Sequence, residues 1–225
     1  LLPSLSLTKP VWLLPSYNGA RKTTLFTPLL AKLLADKGYF VLVHGTHEEP
    51  HRTSSEQLFL EMQWPVAKTI SDLPRILEHQ SFTYCSLNIL CPALYRVLTV
   101  RQIIGVRNTG HVLAKVLNPI QSLSFQLNNY THPAYPGVLD GFYKNFPANV
   151  VTMRGHEGEP VASPRRLPEM HLRFKEIASP NVLEPQFFSE SPETTEDITP
   201  AATATLYQGM LRNPDTIPAS LIAQI

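Results

Sequence analysis

Two cysteines in 225 residues exclude a small domain stapled by disulfides. No apolar run approaches the roughly 20 residues that a membrane-crossing helix needs. Leu1 to Thr8 lack the basic start and long apolar stretch of a secretory leader. A soluble, cytoplasmic protein in a reducing compartment is therefore expected, with no membrane partner. Glycine is scarce at ten residues, and neither a P-loop nor a G-x-G-x-x-G spacing occurs. A G-x-S-x-G elbow is missing too, which leaves no case for a hydrolase triad. Proline, by contrast, numbers 21, which excludes long uninterrupted helices throughout.

Acid is missing from one long stretch. No Asp or Glu lies between Glu78 and Asp140, whereas Arg96, Arg101, Arg107, His111, Lys115 and His132 do. The whole chain carries a net charge of only +1, but the halves differ. Residues 1–120 hold 12 Lys and Arg against 7 acids, and residues 121–225 hold 7 against 11. An acid-free basic stretch suits phosphates, because no carboxylate competes for the guanidinium groups. The plain alternative is a solvated basic face.

Val11 to Leu14 reads as a buried strand, and Pro15-Ser16-Tyr17-Asn18-Gly19 as the turn that ends it. Leu25, Leu29, Leu30, Leu33 and Leu34 recur at helical spacing. Thr27 before Pro28 predicts an N-cap, and Gly38 predicts the stop. Tyr39 to Val43 is a second strand, which gives a βαβ unit and a mostly parallel α/β sheet. Ser54 or Ser55 is expected to cap a helix through Met62. Helices are expected at 74–79, 92–106, 109–117 and 137–145, and strands at 83–87, 122–127 and 150–153. One α/β domain over 1–225 is expected, with a long loop at 176–200, a helix over Pro200 to Arg212 and a tail to 225.

Strand ends in an open parallel sheet are where ligands bind. Two such loops offer backbone N–H groups, hydroxyls and cations. The first holds Tyr17, Asn18, Gly19, Arg21 and Lys22, and the second His44 and Gly45 with Arg52 and Thr53 beyond. A third segment spaces Arg107, His111 and Lys115 at i, i+4 and i+8, one face of a helix, beside Asn108. Like charges so placed repel and are relieved by a polyanion. A fourth, Arg154-Gly155-His156-Glu157-Gly158-Glu159, has two carboxylates that suit Mg²⁺, with a charged surface turn as the plainer reading. Cys85 and Cys91 lack partners at zinc spacing and read as core. His44, His47 and His51 read as loop histidines rather than metal ligands.

Gly105-Val106-Arg107 followed by Asn118-Pro119 resembles the "GVRT…GPLTNP" segment of the anthranilate phosphoribosyltransferase family. Val43-His44-Gly45 resembles that family's "KHGN" loop, and Arg154 to Gly158 its "HG…GLDE" loop. The YbiB-type paralogues match more closely, through Pro15 to Arg21, Arg107-Asn108 with His111 and Lys115, Tyr130-Thr131-His132-Pro133, and Arg154 to Pro160. The resemblance runs from about Pro10 to near Gln224.

It implies the large α/β domain of the nucleoside phosphorylase/phosphoribosyltransferase fold. The family's small N-terminal helical domain, which makes its homodimer, is expected to be mostly absent, and the chain to be a fragment or an incomplete gene product. The resemblance also implies lost chemistry. The family's diphosphate loop "GTGGD" stands here as Pro15 to Gly19, with one glycine and a bulky Tyr17. The lysine of "KHGN" is Val43. The Mg²⁺-binding Asp-Glu pair falls near Glu159-Pro160, one carboxylate short. Arg107 matches the arginine that contacts anthranilate. YbiB-type proteins are associated with sequence-nonspecific DNA and RNA binding. Nucleic-acid binding through the cations and loop groups named above is therefore expected, with Arg101 included and with Tyr17 and His132 stacking on bases. No cofactor is expected in that case. The alternative is a glycosyl or phosphoribosyl transferase with an altered substrate, the one case that brings Mg²⁺.

Overall fold

Burial on both faces sets the first strands. The computed structural model describes residues 3–46, 51–177, 181–189, 194–195 and 197–225. Val11–Ser16 (β1) and Phe40–Gly45 (β2) are almost wholly out of solvent, as parallel strands covered by helices must be. Between them runs Thr27–Asp36 (α1), which buries Leu29, Leu30 and Leu34. Gly38 follows it with φ +94°, the left-handed stop expected. Thr27 does not cap the helix. Phe26 is the N-cap and its ring has no oxygen to offer, while Thr27 sits one residue inside the helix and its hydroxyl donates to Glu159.

Ser55–Glu61 (α2) begins in a capping box between Ser54 and Gln57. Val66–Ala67 (β3), Asp72–Gln80 (α3), Phe82–Ser86 (β4) and Leu87–Leu90 (α4) follow. The helix expected over 92–106 is two, Pro92–Thr99 (α5) and Arg101–Ile104 (α6). The turn tightens at Val100, whose carbonyl accepts from both Ile103 and Ile104.

Gly110–Lys115 (α7) leaves Arg107 outside the helix, against the expected i, i+4, i+8 face. Asn108 is the reason. Its Oδ1 accepts from the Gly110 N–H at 2.9 Å and its Nδ2 donates to the Val97 carbonyl at 2.7 Å. This local bond makes a turn where a helix would otherwise continue.

Ser124–Tyr130 (β5) runs further than expected because Asn128, Asn129 and Tyr130 pair with Thr152, Met153 and Arg154 of Asn149–Arg154 (β6). Tyr135–Asn145 (α8) joins these two strands. Arg166–Leu167 (β7), Met170–Arg173 (β8), Asn181–Leu183 (β9) and Gln186–Phe187 (β10) come next. β9 and β10 lie inside the stretch expected as one long loop. Pro200–Arg212 (α9) matches its expectation, and Ala219–Ile222 (α10) closes the chain.

The main sheet has the order β3-β4-β2-β1-β5-β6-β8-β9. β1 to β6 are parallel, and β8 and β9 are antiparallel. One face packs Leu14, Leu30, Val43, Phe59, Tyr84, Tyr207 and Met210, and the other Leu13, Leu42, Leu77, Leu98 and Ala114. The strand order runs from β1 outward to β3, then returns to β5 on the other side of β1. That reversal opens a crevice between the loops after β1 and β5, the usual ligand position in such sheets. Among the described residues no helix is long and apolar enough to cross a membrane.

Candidate functional site

Ser16 ends β1, and its hydroxyl donates to Glu159 Oε2 at 2.5 Å while lying 2.6 Å from Ser55 Oγ. The N–H groups of Asn18 and Gly19 donate to Glu159 Oε1 at 2.7 and 3.0 Å. The Thr27 hydroxyl donates to Oε2 at 2.9 Å. Glu159 is only 1% exposed, and these donors are what a buried carboxylate requires. Its neighbour Glu157 accepts from the N–H of Arg21 at 2.8 Å and of Lys22 at 3.1 and 3.2 Å. The Asn18 side chain donates to the Gly158 carbonyl, and Arg52 Nη1 donates to the Asn18 carbonyl at 2.9 Å. The loop expected to offer its amides to an outside anion offers them to carboxylates of this chain.

Beside this closed loop lies an open cleft of about 330 Å³, lined by Arg107, His111 and Lys115 together with Asn129, Tyr130 and Thr131 at the end of β5. Lys115 Nζ donates to the Gly158 carbonyl and to Asn129 Oδ1, both at 3.2 Å. Desolvation pulls the Lys115 amine down to about 8, with Glu159 opposing and Arg107 reinforcing. Desolvation also holds the Arg107 guanidinium down at about 10, helped by the charges of Arg101 and Arg52. Burial, then Arg107, lowers His111. Each cation here is less stable for the presence of the others, and an entering anion reverses that sign.

The remaining expected residues do not converge on this cleft. Tyr17 is 2% exposed and its hydroxyl lies 2.7 Å from His44 Nδ1, so it is not available to stack on a base. His44 is fully buried, and burial lowers it to about 3, which keeps it neutral rather than phosphate-binding. Gly45 packs against the Ser16 carbonyl, and the Thr53 hydroxyl donates to the Ile198 carbonyl. The Arg21 and Lys22 side chains and His132 are exposed. Arg101 borders a small pocket with Thr46 and His111. Arg154 and Gly155 line a separate cavity of about 500 Å³ with Arg166.

The metal reading fails on arrangement. Glu159 already takes four donors, Glu157 is engaged by amides, and the next residue is Pro160. The carboxylates as arranged do not fit Mg²⁺. Among the described residues, no three His, Cys, Asp or Glu gather to hold any metal. His47 lies outside the described residues. Cys85 is core, its thiol pushed up to about 12 by burial, and Cys91 is half-buried; neither forms a disulfide. Ser16 and Gly158 stand in loops to which the sequence pointed, though neither was expected as a site residue. Thr27 carried a signal, the Thr-Pro pair, but it pointed to a cap. Asn129 gave none.

Comparison with known proteins follows from this geometry. YbiB of Escherichia coli (strain K12) is 34% identical over 214 residues, covering 94% of this chain and 66% of YbiB. The anthranilate phosphoribosyltransferase of Oleidesulfovibrio alaskensis is 29% identical over 89 residues, covering 40% of this chain and 27% of that protein. The anthranilate phosphoribosyltransferase of Saccharomyces cerevisiae, solved in complex with PRPP and Mg, superposes with a TM-score of 0.68 at 14% identity, covering 98% of this chain and 63% of that one. No protein-family model matches the chain. The chain thus spans just under two thirds of the length of YbiB and of the yeast enzyme.

Proposed function

Because the chain is homologous to YbiB and to anthranilate phosphoribosyltransferase and has a transferase-like scaffold, we propose that it is a glycosyl or phosphoribosyl transferase with an altered substrate. One observation carries this reading: the cleft of about 330 Å³ where Arg107, His111 and Lys115 meet at the end of β5. Its volume suits a small molecule, and its two cations suit a carboxylate or phosphate on that molecule. The substrate must differ from the family's, because the β1 loop is filled by Glu159 and Glu157. Mg²⁺ enters this reading only with a substrate that brings it. Calorimetric titration with a panel of small aromatic carboxylates and sugar phosphates, anthranilate and phosphoribosyl diphosphate with Mg²⁺ among them, tests the reading on the unaltered chain and on Arg107→Ala. Heat from at least one ligand, lost in the variant, is expected. No heat and no transfer from any of them sinks it.

A second reading is sequence-nonspecific nucleic-acid binding, favoured by a different observation. Arg52 and Arg101 come from different segments, yet the charge of each bears on Arg107. Arg101 and Arg107 belong to the acid-free stretch, and cations gathered in this way suit a phosphate backbone. A mobility-shift series with single- and double-stranded DNA tests it. Binding that weakens steeply with salt supports the reading, and the absence of any shift at low salt removes it.

A further inference from the structure

We propose that the cavity of about 500 Å³ beyond Tyr130 is a second small-molecule site, separate from the cleft of Arg107, and that it takes a dicarboxylate. Its two arginines come from different sheets. Arg154 ends β6 of the main sheet, and Arg166 stands in β7 of the two-stranded β10-β7 sheet. Among the described residues neither guanidinium makes a hydrogen bond or an ion pair. That of Arg166 is seated over the Phe187 ring, 4.8 Å from its centroid. A guanidinium held over a ring is fixed in place while its N–H donors stay unspent. The Arg166 N–H donates to the Ser163 carbonyl at 2.9 Å, and this short bridge brings Ser163 to the same wall. Burial lowers His156, which leaves the two arginines as the cations of the cavity.

Tyr130 lines both cavities and so divides them. It pairs with Arg154 across the β5–β6 ladder, and its carbonyl accepts from the Gly155 N–H at 2.9 Å. Burial raises the Tyr130 hydroxyl, Glu169 adds to that and Arg154 opposes it, so both charges act on this partition. Three features point to a dicarboxylate rather than a compact ion. A guanidinium fork matches a planar carboxylate, and two unspent forks match two of them. The volume is in the range that encloses a whole small molecule and is roomy for a lone phosphate. Glu169 stands in the same wall, its Oε1 2.6 Å from His171 Nε2. Its charge repels a compact anion, whereas a ligand charged at its two ends keeps those ends on Arg154 and Arg166. Occupancy is read by binding alone, on residues outside the cleft of Arg107, and so independently of the transferase reading.

The experiment is calorimetric titration of the 225-residue chain with succinate, beside acetate and inorganic phosphate, with chloride holding the ionic strength constant. Succinate is expected to bind saturably, at least about tenfold more tightly than acetate or phosphate. Arg154→Gln and Arg166→Gln are each expected to weaken it by about tenfold or more. Arg166→Lys keeps the charge without the fork and is expected to weaken it nearly as much. Glu169→Gln removes the opposing charge and is expected to tighten it, a gain that misfolding cannot produce. Succinate affinity is expected to be the same in Arg107→Gln. The absence of saturable succinate binding overturns the proposal, as does an affinity that both Arg154→Gln and Arg166→Gln leave unmoved. Succinate held no more tightly than acetate or phosphate reports a general attraction for anions and overturns it too. Binding lost in Arg107→Gln and kept in the other arginine variants belongs to the neighbouring cleft and has the same consequence.

Discussion

Lys115 lines the open cleft and, through its 3.2 Å bond to the Gly158 carbonyl, also holds the turn that fills the β1 loop. One ammonium thus serves two neighbouring places. A ligand that draws it into the cleft weakens the clasp on Gly158.

The amine of Lys115 is expected to acylate at much lower pH than exposed lysines, with half-maximal reactivity near its value of about 8. Arg107 lowers that value and Glu159 raises it. Arg107→Gln should therefore move the midpoint up, and Glu159→Gln should move it down. Competitive labelling read by mass spectrometry across pH checks both directions. Equal midpoints in all three proteins would remove Arg107 and Glu159 as neighbours that matter.

Burial lowers His44 from 6.5 to about 3, so between these values the unfolded chain binds a proton that the folded chain refuses. Stability from this residue is present above pH 6.5 and drains away as pH falls toward 3. His111 and His156 are lowered by burial as well and steepen the same limb. His44→Gln cannot take up that proton, and its melting temperature should fall less between pH 6.5 and 4 than that of the parent. Parallel curves would contradict this.

Ser54→Ala breaks the capping box at the start of α2, where Ser54 Oγ accepts from the Gln57 N–H at 3.2 Å and Gln57 Oε1 accepts from the Ser54 N–H at 2.8 Å. A loss of about 1 kcal/mol is expected. In a domain of this size that lowers the melting temperature by about 2–4 °C, measurable by calorimetry.

Tyr207→Phe tests how α9 is tied to the body of the protein. The Tyr207 hydroxyl donates to the Leu25 carbonyl just before α1, and the ring is fully buried. Removing the donor leaves that carbonyl unsatisfied, at about 1–3 kcal/mol. Urea unfolding should show a lower midpoint with an unchanged slope.

Elements whose side chains repeat locally were legible in the sequence. Val11 to Leu14, the leucines of α1 and the span of α9 announce themselves, because one buried face recurs within a few residues. β9 and β10 do not, since their residues are exposed and carry no apolar run. The site divides in the same way. Arg107, His111 and Lys115 were legible as basic residues that belong together, although the helical face inferred for them was wrong once Asn108 made its turn. Glu159 was legible only as a carboxylate in a turn. Its donors lie 132 to 143 residues away, and nothing in the spacing of either segment records the other.

The sheet ends in strands too short to recruit another. β3 has two residues and β9 three, so neither margin exposes a long row of unpaired backbone groups. Eight strands with such blunted margins resist growth by edge-to-edge pairing. Among the described residues, growth of this eight-stranded sheet through either margin is therefore disfavoured.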